Sequence, residues 1–203
     1  MDTLSCRKSD KMPYKFVSKF CHLPQMNCVI CGTGNMGVII DWIAFVQKSI
    51  AANGIYQLDI LTSRSLPGFM KEHNGDNLCT IYQFGLHEID KFFHGFVYRS
   101  TDDFKSNELQ QGLGVKPPDA FLDEHGALDL SDIPSDENNI DGIFIYVMDK
   151  QKKFDEKRPL KDRVRIGGLN QIIMLTREYA LTKTIKAFDD LEEDLNFMLQ
   201  QMS

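Results

Sequence analysis

The sequence predicts an α+β fold with a mixed sheet, a long helix after a glycine-rich turn, and a C-terminal amphipathic helix. Residues 26–65 combine an apolar run, a glycine-rich turn, a helix-like segment and a second apolar run. Short runs rich in β-branched and aromatic residues occur elsewhere, which is typical of strands. Residues 181–202 repeat apolar side chains at spacings near three and four, which indicates a helix. An α/β Rossmann-like fold is the alternative.

The composition is that of a globular protein, since 42% of the 203 residues are hydrophobic and 26% are charged. The formal net charge of −6 disfavours a surface that coats nucleic acid. No apolar run approaches the roughly 18 residues that span a bilayer, and the N-terminus is polar, so we expect neither a transmembrane segment nor a secretory signal. Five cysteines, an odd number, indicate reduced thiols. We therefore expect a cytoplasmic or nuclear protein that is not secreted.

The chain divides by composition into three parts. Residues 1–20 are predicted to form a basic N-terminal arm, because the segment from Arg7 to Lys19 carries five basic residues and one acidic residue. Residues 21–175 are predicted to form a single globular domain. Residues 176–203 are predicted to form the C-terminal helix.

The glycine-rich turn is the feature closest to a known chemical device. A strand is predicted over 28–31, the turn over 32–37, a helix over 38–52 and a second strand over 56–61. Gly32, Gly34 and Gly37 have the spacing that lets a backbone approach a pyrophosphate closely, at the positive end of the following helix.

The sequence Gly-Thr-Gly-Asn-Met-Gly of this turn resembles the N-terminal fingerprint of NADP-dependent reductases such as the pyrroline-carboxylate reductases. The resemblance is confined to residues 26–65. It implies that the three glycines hold the pyrophosphate of NADP. It also implies that Ser63 and Arg64, which follow the predicted second strand, meet the 2′-phosphate.

Two other groups of residues have metal-binding chemistry. Cys28 and Cys31 are interpreted as buried apolar side chains, because residues three apart in a strand point to opposite faces. His87 and His94 lie seven residues apart and share a helix face if the short helix predicted over 86–93 runs that far. Asp90 lies between them on nearly the same face, and two histidines with a carboxylate suit a metal. The sequence favours an amphipathic surface there, and we predict no metal site.

The second half of the chain alternates in charge. Residues 101–141 are acidic and rich in turn residues, which predicts a long loop region. The stretch from Lys150 to Arg165 is basic and is interpreted as a hairpin tip between two strands. Strands are predicted over 78–84, 95–99, 142–148 and 164–175, and a helix from 177 to the end.

No ordered set of nucleophile and base is recognisable, so the sequence predicts no catalytic residues. The separate charged segments favour a non-enzymatic interaction or structural protein that self-associates, of the viral matrix or adaptor type by compositional analogy. Its partner would be a protein or a second copy, bound through the C-terminal helix. An anionic partner would bind the segment Arg7 to Lys19 or the segment Lys150 to Arg165. The alternative is an NADP-binding reductase, or a degenerate dinucleotide-binding module, that uses the turn from Gly32 to Gly37.

Overall fold

The computed structural model describes residues 1–73, 78–110, 118–122, 131, 133 and 139–202. The fold of these residues is α+β, as the sequence predicts, with four α-helices, a five-stranded sheet and two two-stranded sheets. The chain forms two compact units. The first, here the sheet unit, comprises the described residues of Lys19–Gly112 and Ile173–Leu181. The second, here the terminal unit, comprises the described residues of Met1–Ser18, Leu113–Ile172 and Thr182–Ser203.

The sheet unit is built on the five-stranded sheet, whose strands follow the chain in order and whose neighbours are all antiparallel. Two helices are inserted between the second and third of these strands. The elements are β3 (Phe20–Leu23), β4 (Cys28–Gly34), α1 (Met36–Ser49), α2 (Ile55–Glu72), β5 (Cys79–Leu86), β6 (Phe93–Arg99) and β7 (Asn107–Glu108).

This topology corrects the Rossmann-like alternative. The strands on either side of the helices, β4 and β5, are direct neighbours and run antiparallel, with Gly34 opposite Cys79. A dinucleotide-binding βαβ unit needs parallel strands joined by a crossover helix. The sheet, whose described pairings are all antiparallel, is therefore not mixed in strand direction.

The helices pack on the sheet through side chains at helical spacing. In α1 the buried residues include Ile39, Trp42 and Val46, which are three and four positions apart. In β5 alternate residues are buried, so one face of the strand lies against the helices. A Cβ placed at Gly85 would lie 3.1 Å from the Cβ of Ile55, which shows how closely α2 approaches β5.

The strand predicted over 56–61 is wrong, because these residues form the beginning of α2. The buried side chains of α2 recur every three or four residues, and this helical period fits packing on a sheet. The apolar run read as a strand is the start of that stripe. The helix continues to Glu72. The buried residues are Ile55, Leu58, Thr62, Leu66 and Met70.

The terminal unit contains both ends of the chain. Residues 1–20, predicted to be an arm, include the antiparallel hairpin of β1 (Leu4–Cys6) and β2 (Pro13–Phe16). Asp2 forms a β-bridge with Asn170, and the backbone N–H of Leu4 donates to Gly167 O at 3.1 Å. The domain boundaries at residues 20 and 175 stay a prediction.

Two further strands and two helices complete the described chain. The strand predicted over 142–148 is wrong, because these residues lie in a helix whose N-terminus is capped by Asn139, with Oδ1 accepting from the N–H of Gly142 at 2.9 Å. The basic stretch after it is the second half of that helix and the following turn, and so is not a hairpin tip. The elements are α3 (Ile140–Lys157), β8 (Leu169–Leu175), β9 (Ala180–Ala187) and α4 (Leu191–Met202), with β8 paired to β9.

Strands predicted over 78–84, 95–99 and 164–175 correspond to β5, β6 and β8, with shifted ends. The C-terminal helix begins at Leu191, later than predicted, because residues 180–187 form β9. In the acidic region 101–141, residues 111–117, 123–130, 132 and 134–138 lie outside the described residues.

Candidate functional site

The glycine-rich turn joins β4 to α1. Gly32 and Gly34 belong to β4, whereas Gly37 lies in the first turn of α1. Gly34 has φ +104°, and a Cβ there would lie 2.2 Å from the carbonyl oxygen of Leu78. A Cβ at Gly32 would lie 2.9 Å from the Cδ1 of Ile39. Packing of α1 and β5 on β4 therefore accounts for two of the three glycines.

The other residues assigned to NADP are not at the end of a strand. Ser63 and Arg64 lie in the middle of α2, and the Ser63 hydroxyl donates to the carbonyl oxygen of Asp59 at 2.9 Å. The five assigned residues thus lie on three elements, β4, α1 and α2. NADP binding by the turn stays a prediction.

A buried polar cluster, which the sequence does not predict, lies beneath the helices. The Tyr98 hydroxyl donates to Asp59 Oδ1 at 2.6 Å and lies 3.1 Å from Gln83 Oε1. Gln83 Nε2 donates in turn to the Thr62 hydroxyl at 2.9 Å. Burial, followed by the hydrogen bond to Asp59, raises the pKa of Tyr98, so its phenol stays protonated. The hydrogen bonds of this cluster join side chains of α2 to side chains of β5 and β6.

The cysteine pair is as the sequence predicts. Cys28 and Cys31 are buried in β4, opposite Gly85 and Tyr82 respectively, and point to opposite faces of the sheet. Burial raises the pKa of each thiol to about 12. All five cysteines of the chain, each within the described residues, are free thiols.

The histidines lie together across a hairpin turn. The short helix predicted over 86–93 is wrong: residues 87–92 connect β5 to β6. His94 Nε2 lies 3.2 Å from Asp90 Oδ2, and His94 Nδ1 lies 2.6 Å from Glu108 Oε1. The bond to Glu108 raises the pKa of His94. The N–H of Phe92 donates to Asp90 Oδ1 at 2.8 Å and, with the two histidines, lowers the pKa of that carboxyl.

The basic segments make internal ion pairs. Arg7 Nη2 lies 3.0 Å from Asp10 Oδ2. Lys152 Nζ lies 2.5 Å from Asp190 Oδ2. An anionic partner for the segment from Arg7 to Lys19, or for that from Lys150 to Arg165, stays a prediction.

The C-terminal helix carries an exposed apolar stripe. Leu195, Leu199 and Met202 are 44%, 55% and 84% exposed, although all three are large and apolar. They are spaced by four and three residues and so share one face of α4. Asp194 and Met198 are buried on the neighbouring face.

The described chain is thus an α+β protein with free thiols. It has a hairpin turn that carries two histidines, and a helix with an exposed apolar stripe. Comparisons of the chain with protein-family models, with curated proteins and with solved structures found no match. Within the described ranges, no helix has both the length and the apolar character needed to cross a membrane.

Proposed function

We propose that this is a non-enzymatic interaction protein, of the matrix or adaptor type, that self-associates through α4. The exposed stripe of Leu195, Leu199 and Met202 carries the proposal. Isolated exposed apolar residues are ordinary on a protein surface, but a contiguous row of them marks a binding face.

The stripe is the outward continuation of the buried face of α4. With roughly 100° of rotation per residue, Leu195, Leu199 and Met202 fall within an arc of about 60°. Met198 lies beside this arc and is buried in the terminal unit. A helix that packs on one side and presents apolar side chains next to that side can take a second helix in ridge-and-groove packing.

The charges of α4 favour a second copy in antiparallel orientation. The acidic residues Glu192, Glu193 and Asp194 are all in the first turn, whereas the last turn has no basic residue. Two parallel α4 helices would set the acidic turns against each other. Antiparallel helices keep these turns at opposite ends, and the same patch then serves both copies, as in most symmetric dimers.

The expected affinity is modest. Complete burial of a large apolar side chain contributes roughly 1.5–3 kcal/mol, and these side chains are already partly covered, so we assign about 1 kcal/mol to each. Six side chains, three from each copy, then contribute about 6 kcal/mol before the cost of association. The cost of association, about 4 kcal/mol or more, reduces this value, so the stripe alone corresponds to a Kd of millimolar or weaker.

Sedimentation velocity over a concentration series that extends to millimolar protein tests the proposal. Leu199→Glu places a charge in the stripe, and Gln200→Glu adds the same charge on the polar side of α4. We expect the wild type and Gln200→Glu to dimerise with rising concentration, at high salt as well as low, because the contact is apolar. Leu199→Glu should remain monomeric. A wild type that is monomeric throughout, or a Leu199→Glu variant that associates like the wild type, would refute self-association through α4.

A further inference from the structure

The turn between β5 and β6 has a fixed backbone. The N–H of His87 donates to Phe92 O at 2.8 Å, and the N–H of Lys91 donates to His87 O at 3.2 Å. Lys91 has φ +62°, the left-handed conformation that lets a short turn close. These bonds place His87 at the start of the turn and Asp90 inside it.

Strand register brings His94 to the same place. In β6, His94 lies opposite Gly85 of β5, on the same side of the hairpin as His87, which is two residues after Gly85. The His87 and His94 rings have centroids 4.9 Å apart. Each of His87, Asp90 and His94 offers one ligand atom, and these three atoms all lie within 4.8 Å of one another.

We propose that His87, Asp90 and His94 bind a divalent first-row transition metal ion, for which Zn²⁺ is the best match. Two imidazoles and a carboxylate form a ligand set that suits this ion, with the remaining position open to water. Bonds of about 2.0–2.1 Å in a tetrahedral site place ligand atoms about 3.3 Å apart. Asp90 Oδ1 lies 3.2 Å from His87 Nδ1, and Asp90 Oδ2 lies 3.2 Å from His94 Nε2. Each ring is therefore at coordination spacing from one of the two carboxylate oxygens, and a single oxygen has to approach both rings when an ion binds.

Glu108 forms a hydrogen bond with the far ring nitrogen of His94, as a carboxylate often does for a metal-bound histidine. Its Oε1 lies 2.6 Å from His94 Nδ1, and because a carboxylate only accepts, the Nδ1–H donates a hydrogen bond to it. In the neutral ring, Nε2 then has the lone pair that a metal needs, and it is the nitrogen that faces Asp90. A carboxylate on the far nitrogen fixes the ring tautomer and makes the ligand more basic. Glu108 is held beside His94 because β7 pairs with β6, with Glu108 opposite Phe96.

Hydrogen bonds alone are the competing explanation for the cluster. A carboxylate between two imidazoles is stable without a metal if one ring is protonated. The two explanations differ in what the intact chain does with a metal ion. Coordination predicts saturable binding of one ion, whereas a hydrogen-bonded cluster predicts none.

The experiment is a titration of the chelator-treated full chain with Co²⁺, read by visible absorption, and with Zn²⁺, read by calorimetry. We expect one ion per chain, a Co²⁺ spectrum of low coordination number, and no thiolate charge-transfer band. Asp90→Asn and His94→Gln should abolish binding or weaken it at least about tenfold, and Glu108→Gln should weaken it roughly tenfold to 100-fold. Circular dichroism of each variant confirms that the hairpin is still folded.

His73→Gln is the matched control. His73 is a histidine of the sheet unit whose Nε2 lies 3.8 Å from a carboxylate oxygen of Asp41, but it is not part of the cluster. This variant should bind the metal like the wild type. The proposal fails if the wild type binds no ion, if a thiolate band appears, or if His73→Gln weakens binding as much as His94→Gln does.

Discussion

Replacement of Gly34 by alanine is the sharpest test of the architecture around the glycine-rich turn. Gly34 ends β4 opposite Cys79, and its φ of +104° is a conformation that side-chain-bearing residues rarely adopt. The added Cβ would lie 2.2 Å from Leu78 O and 2.8 Å from Cys79 Cα. Both contacts are with backbone, so no rotamer change can relieve them. Either β5 moves away from β4, or Gly34 changes its backbone conformation.

The expected cost follows from these two effects. A left-handed conformation costs an L-residue roughly 1–2 kcal/mol. Overpacking that forces a backbone shift costs typically about 1–3 kcal/mol. We therefore expect Gly34→Ala to lower the free energy of unfolding by about 2–5 kcal/mol, a large part of the stability of a domain.

Urea unfolding of Gly34→Ala and Gly37→Ala side by side measures this cost. At Gly37 a Cβ would meet only Asn35 Oδ1, at an ordinary 3.5 Å, and alanine favours the helix. Gly37→Ala should be neutral or up to about 1 kcal/mol more stable. If the two variants differ by less than about 1 kcal/mol, strand packing is not what requires Gly34.

Three further predictions concern buried groups. Tyr98→Phe should lower the free energy of unfolding by about 1–3 kcal/mol, measured in urea, because Asp59 loses a buried donor; an unchanged midpoint would contradict this. At pH 8, iodoacetamide should spare Cys28 and Cys31 in the folded chain, because thiols with a pKa of about 12 are protonated there; mass spectrometry that finds both modified would refute it. Burial raises the pKa of Asp194 above its usual value of 3.8, so the folded state favours the protonated carboxyl more than the unfolded state does. The free energy of unfolding therefore falls as rising pH ionises this group. Asp194→Asn should therefore be more stable than the wild type at pH 7, with the gain vanishing below about pH 4; equal gains at both pH values would contradict the reasoning.

The α+β class and four of the nine described strands, β4, β5, β6 and β8, could be predicted from the sequence, because alternation in β5 and the aromatic residues of β6 are local signals. The error over 56–61 arose because a six-residue apolar run fits a strand and a helix equally well. Only the longer stripe that ends at Met70 fixes the helical period. The error over 142–148 has the same origin, since α3 begins with aromatic and branched residues whose low helix propensity is overridden by tertiary packing.

The sites were harder to predict because they depend on strand pairing. His87 and His94 were recognised as neighbours for a wrong reason, a shared helix face, whereas a hairpin register brings them together. Glu108 could not be added to them without knowing that β7 pairs with β6. The polar cluster left a weak signal: Thr62 and Gln83 occupy positions that the periods of α2 and β5 reserve for buried residues.

The pH test at Asp194 also bears on self-association, because it reports whether α4 is packed as described. Asp194 and Met198 define the buried face of α4. The orientation of α4 that covers this face is the one that leaves the stripe exposed. A gain for Asp194→Asn at neutral pH would show that the face is buried in solution. If that gain is absent and the wild type still dimerises, the dimer must use some other arrangement of α4. If the gain is present and Leu199→Glu is monomeric, the packed face and the associating face of α4 are separate, as the proposal requires.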